Sequence, residues 1–83
     1  MIESKDALIE RFLQLATQFE QSQNPVTGID LDDATVALKR YLLSKDDDQE
    51  TASLLNQLGK LVRSRDMPVY TGTLAQIRAR LGR

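Results

Sequence analysis

Eighty-three residues, 41% of them hydrophobic and 28% charged, with a net charge of −1, fall within the range of one folded domain over residues 1–83, too apolar and too nearly neutral for disorder. With no cysteine and no histidine, the chain cannot supply disulfides, thiolate or ordinary zinc sites, catalytic triads or imidazole acid–base catalysis. The lack of cysteine also suits a reducing, cytoplasmic setting.

Four segments with helical periodicity follow one another. In the first, from about Ser4 to Ser22, Leu8, Phe12, Leu15, Ala16 and Phe19 recur three and four residues apart as one apolar stripe, widened by Ile9 and Leu13. Ser4 is its predicted N-cap. Asn24-Pro25 and Gly28 read as its end, followed by a loop of about seven residues.

The second helix is predicted to start at Asp30, with Asp32 and Asp33 favouring the positive dipole end and Ile29 stapled to Ala34 across the cap. Leu31, Ala34, Leu38, Tyr41 and Leu42 mark its buried stripe as far as Ser44, flanked by Val36 and Ala37. The third begins in Lys45-Asp46-Asp47-Asp48, where Asp47 and Glu50 have the spacing of a capping box. That pairing accounts for the aspartates without calcium, since the tract lacks the alternating ligands and central glycine of a calcium loop. Thr51, Leu55, Leu58 and Val62 share a face, with Leu54 and Leu61 beside them, and Gly59 within this helix implies a close crossing.

The last helix starts either at Asp66, with Pro68 in its first turn, or near Thr71. Tyr70, Leu74, Ile77 and Leu81 carry its stripe, and Arg78 and Arg80 lie near its negative end before Gly82. Four amphipathic helices joined by short links predict an all-α, antiparallel four-helix bundle. In so small a domain the core is thin, so self-association into a homodimer is an open option.

The opening Met1-Ile2-Glu3-Ser4-Lys5-Asp6 has neither the basic segment nor the apolar stretch of a secretory leader. Aliphatic or aromatic runs are no longer than Tyr41-Leu42-Leu43, against the roughly 20 residues of a membrane span. Neither export by that route nor a transmembrane segment is expected. Gly28, Gly59, Gly72 and Gly82 are too dispersed for a nucleotide fingerprint. Nothing calls for a cofactor or metal, and the carboxylates sit at helix starts. Size and acidity are similar to those of acyl carrier proteins, but Asp32-Asp33-Ala34 offers no hydroxyl for their prosthetic arm. The expectation is a binding protein, not an enzyme.

Charge is unevenly distributed: residues 1–59 hold eleven acids against five bases, and residues 60–83 hold six bases against Asp66 alone. The asymmetry either steers a charged partner to one end or simply complements the helix dipoles. Arg63, Arg65, Arg78, Arg80 and Arg83, with Lys60 and Tyr70 nearby, are the bases that could contact phosphates, and Tyr70 is expected at the core's edge with its hydroxyl in water. Nucleic acid is the weaker reading of these bases, because Thr73, Gln76 and alanines dominate the exposed positions expected on the last helix.

Leu31-Asp32-Asp33-Ala34 leading to Leu38, then Ala52-Ser53-Leu54-Leu55-Asn56-Gln57-Leu58, the proline-marked turn Met67-Pro68-Val69-Tyr70, and a closing helix with Leu74 and Ile77 form a pattern. In it the chain resembles the immunity proteins of pediocin-like bacteriocins, the enterocin A immunity family. The resemblance implies a cytoplasmic bacterial four-helix bundle that protects the cell from a bacteriocin. Its partner would be the membrane sugar-transport receptor that the bacteriocin has seized, with the C-terminal half setting recognition. Arg63, Arg65, Tyr70, Arg78 and Arg80 then become the surface to test. The alternative is a small bacterial regulator or connector, dimeric, that binds protein or DNA.

Overall fold

Ser4 caps the first helix: its hydroxyl accepts the Ala7 amide at 3.1 Å, and α1 runs Lys5–Ser22. The computed structural model describes residues 4–83. Met1, Ile2 and Glu3, where the leader reading begins, lie outside the described residues. Gln23 in the left-handed region, φ 53°, closes α1.

The second helix corrects the sequence reading. Asn24 is its N-cap, its side-chain oxygen accepting the Val26 amide at 2.8 Å, and α2 spans Pro25–Tyr41. Proline is at home in the first turn of a helix because its missing N–H has no intrahelical acceptor to meet. The expected seven-residue loop therefore shrinks to Gln23 and Asn24. Gly28 lies inside the helix, Asp30 caps nothing, and Ile29 faces solvent instead of stapling the cap.

After Tyr41 the chain widens into one π-helical turn, Leu42–Asp46, closed by Asp47 at φ 49°, whose N–H donates to the Leu42 carbonyl. That backbone role removes Asp47 from the predicted capping box. Asp48 takes the cap instead, accepting from the Thr51 amide at 3.1 Å and the Thr51 hydroxyl at 2.7 Å. Helix α3 follows over Gln49–Ser64, and α4 over Met67–Leu81, with Asp66 before it and Pro68 in its first turn. Of the two predicted starts, the earlier is the one adopted.

Cross-helix contacts fix the directions. Phe19 meets Gly28 while Lys5 bonds Asp46, so α2 runs back along α1. Tyr70 bonds Ala16 while Arg83 bonds Asp6, so α4 runs antiparallel to α1 as well. Arg80 bonds Thr51 and Arg63 bonds Asp32, completing the antiparallel four-helix bundle. Contacts between α1 and α2, α2 and α3, α3 and α4, and α4 and α1 close the ring. No strand occurs among the described residues, and no helix is long and apolar enough to cross a membrane.

The stripes meet in one core: Leu8, Ile9, Phe12, Ala16 and Phe19 of α1 pack with Leu31, Ala34, Leu38, Leu42, Leu55, Leu58, Tyr70, Leu74 and Ile77. Tyr41 and Val62, expected inside, are only partly buried at its margin. The two helix-embedded glycines differ in kind. A Cβ on Gly59 would meet only the Asp32 carboxylate at 3.6 Å, an ordinary contact, so the predicted close crossing there involves a side chain and does not require glycine. A Cβ on Gly28 would stand 3.2 Å from the Phe19 ring, tighter than an ordinary contact, so the ring would have to shift to admit any larger residue there.

Candidate functional site

In this topology the α1–α2 and α3–α4 turns share one end of the bundle. The ends of α1, α2 and α3 there frame a groove of about 320 Å³, lined by Phe19, Pro25, Gly28, Ile29, Asp32, Val62, Arg63 and Arg65. Its floor exists because Gly28 has no side chain: the Phe19 ring reaches the backbone of α2, and Val62 closes the far side. Val26 and Ile29, each 65% exposed, stand at the α2 end beside it. Two uncompensated aliphatic side chains next to an apolar hollow are the kind of surface that gains free energy when a partner covers it.

The rims carry opposite charges. Asp32 lies on the α2 side and Arg63 on the α3 side, 3.5 Å apart at their nearest atoms, and both are largely solvated. An exposed pair at that distance contributes about 0–1 kcal/mol, so a partner's carboxylate can compete for the guanidinium at little cost. Arg65 terminates α3 in the left-handed region at φ 58° and makes no ion pair among the described residues. A residue with a Cβ is held there at a cost of about 1 kcal/mol relative to glycine.

The five expected contact residues fall into three places. Arg63 and Arg65 line this groove. Tyr70 lies beneath it and corrects the sequence reading: it is 0% exposed, and its hydroxyl donates to the Ala16 carbonyl at 2.6 Å instead of meeting water. Its ring packs tilted against Phe19 with centroids 5.7 Å apart, so it supports the groove floor from inside. Burial raises its pKa above the usual phenol value, the nearby Glu20 charge adds to the rise, and Arg78 opposes it.

Arg78 and Arg80 lie along the helix seams. Arg78 donates to the Thr17 hydroxyl at 2.8 Å, tying α4 to α1. Arg80 donates through Nε to the Thr51 hydroxyl at 2.7 Å and pairs with Asp48 and Glu50 at 3.4 and 3.0 Å, tying α4 to the start of α3. The uneven charge along the sequence thus has a structural outcome. Arg63, Arg80 and Arg83 each reach back to an acid before residue 60, so folding stitches the basic segment onto the acidic one.

The sequence reading gave Ile29 and Asp32 other roles, at the start of a helix capped by Asp30, and did not consider Val26. With Pro25 taken as the first helical residue, the groove-lining Pro25, Ile29 and Asp32 recur at spacings of four and three, away from the stripe of Leu31, Ala34 and Leu38. No family model, curated protein or solved structure matches this chain.

Proposed function

We propose that this chain is a non-catalytic binding protein that receives a protein segment in the groove at the turn end, and that its role is immunity to a pediocin-like bacteriocin. The observation that supports the reading is the groove itself. It combines an apolar floor over Phe19 with the solvated Ile29 and the guanidinium of Arg65, which makes no ion pair among the described residues. A segment with one apolar side chain and a neighbouring carboxylate suits it, the first displacing water from the floor and the second taking Arg65.

The immunity role and the cytoplasmic location come from the resemblance, with the sugar-transport receptor seized by the bacteriocin as the implied partner. The DNA-binding alternative draws less support, because Arg63, Arg80 and Arg83 are engaged with acids of the same chain, leaving a sparse basic surface for phosphates. Expression of the protein in a sensitive strain challenged with a panel of pediocin-like bacteriocins is expected to raise survival against at least one of them. Killing by every member despite soluble expression overturns the immunity reading.

A further inference from the structure

The helix that walls the turn-end groove carries, on its outer side, the same chemistry that the groove accepts. Val26 and Ile29 of α2 are each 65% exposed. Asp33, one turn beyond Ile29, is exposed and makes no ion pair among the described residues. On the opposite wall Arg65 likewise makes none. Aliphatic, acid, apolar hollow and base thus stand side by side on one molecule, and neither of these two charges is compensated within it.

We propose that a second copy of this chain occupies the groove, the two α2 helices lying antiparallel about a two-fold axis at Ile29, with Asp33 of each copy on Arg65 of the other. A two-fold contact sets a surface against itself, so it forms only where both halves of a match lie next to each other. They do so here. Around a helix of about 3.6 residues per turn, Pro25 and Asp32 line the groove, Val26 and Asp33 lie farther round toward solvent, and Ile29 falls between the two pairs. A half-turn about Ile29 therefore lays the Val26 and Asp33 face of one copy over the groove of the other.

The same half-turn reverses direction along the helix. Asp33, four residues after the axis, comes to the level of Pro25, four residues before it. Arg65 lies at that level: α3 runs antiparallel to α2, Arg63 pairs with Asp32, and Arg65 stands farther toward Pro25, with which it lines the groove. Ile29 then meets Ile29 beside the floor of Phe19 and Val62, so apolar cover and charge pairing call for one register. Self-association in this form covers the groove, and a partner segment competes with the second copy for it. The contact rests on the groove being a binding surface and not on the immunity role.

Sedimentation equilibrium of the full chain over a micromolar-to-millimolar series tests the contact. The expected result is a concentration-dependent shift from monomer to dimer mass. Asp33→Lys and Arg65→Glu each set like charges together twice in the symmetric pair and are expected to weaken it by about tenfold or more. Mixed in equal amounts they are expected to recover wild-type association, because lysine then meets glutamate at one contact and the native pair forms at the other. Gln76→Lys on α4, across the bundle from α2, is expected to leave association unchanged, and circular dichroism checks that every variant keeps its helix content. A wild-type chain that stays monomeric throughout overturns the proposal. So do single variants that associate like wild type, a mixture no tighter than its components, or a dimer broken by Gln76→Lys alone. None of these outcomes measures bacteriocin survival, so failure of this contact and failure of the proposed function are told apart.

Discussion

Tyr70→Ala is expected to lower the stability of the bundle by about 3–5 kcal/mol, and Tyr70→Phe by about 1–1.5 kcal/mol, in urea unfolding at neutral pH. The large residue fills the junction of α1 and α4, with its ring against Phe19 and its hydroxyl on the Ala16 carbonyl. Truncation to alanine removes the packing and leaves a cavity, whereas phenylalanine removes only the hydrogen bond. A tyrosine with a wet hydroxyl at a binding surface would show neither loss, both changes then falling within about 0.5 kcal/mol. Alkaline pH offers a second readout. The phenol's pKa is raised in the folded state, so its stabilisation is complete below the unfolded value and is lost as pH rises above about 10, where the unfolded phenol ionises first. Tyr70→Phe should remove that part of the alkaline loss.

Asp48→Ala is expected to cost about 2 kcal/mol or more, because one side chain serves three partners. It caps α3 through the Thr51 amide, accepts the buried Thr51 hydroxyl, and helps hold Arg80 of α4. The Thr51 hydroxyl bond is the main reason its pKa lies below the usual carboxylate value, followed by the Thr51 amide bond, with the Arg80 charge and hydrogen bond assisting against desolvation. A depressed folded pKa means that the stabilisation is present above about pH 4 and is lost as pH falls through the lower, folded value. Asp48→Asn retains a good cap but cannot titrate. Urea midpoints measured from neutral pH down to about pH 2 should therefore fall less steeply for Asp48→Asn than for wild type over this acid range. Parallel acid profiles for the two proteins would mean that this carboxylate is not an acid-sensitive linchpin of the α3–α4 seam.

The helices and most of the core were legible in the sequence because Leu8, Phe12, Ala16, Phe19, Leu31, Leu38, Leu55, Leu58, Leu74 and Ile77 follow a period that only burial explains. The start of α2 was misread because Asn-Pro carries two opposite local meanings. It ends a helix that approaches from before it, and it caps and opens a helix that follows, and here Gln23 in the left-handed region lets both occur within two residues. Asp47 lost the capping role to Asp48 for a similar reason. The π-helical turn absorbs extra backbone and shifts the cap by one residue, and no side-chain pattern announces it.

Tyr70 and the arginines failed at a different level. Helical spacing puts Tyr70 on the inner stripe, but only the junction of α1 with α4 supplies the Ala16 carbonyl that lets its hydroxyl be buried. Likewise, Arg78 and Arg80 look like solvated helix-end charges until Thr17 and Thr51, distant in sequence, come into reach. The groove depends on the shared location of two turns and on a missing Cβ at Gly28, both properties of the assembled bundle.

The central claim is that the turn-end groove acts as a binding surface while Arg78, Arg80 and Arg83 tie the helices to one another. Arg65→Gly, assayed for both thermal unfolding and survival of a bacteriocin-challenged host, tests it most directly. Glycine suits the left-handed φ of 58° at this cap, so the variant should be more stable by about 1 kcal/mol. It should nevertheless protect the host less well, having lost the groove's unpaired cation. A variant that is stabilised and protects as fully as wild type would contradict the account.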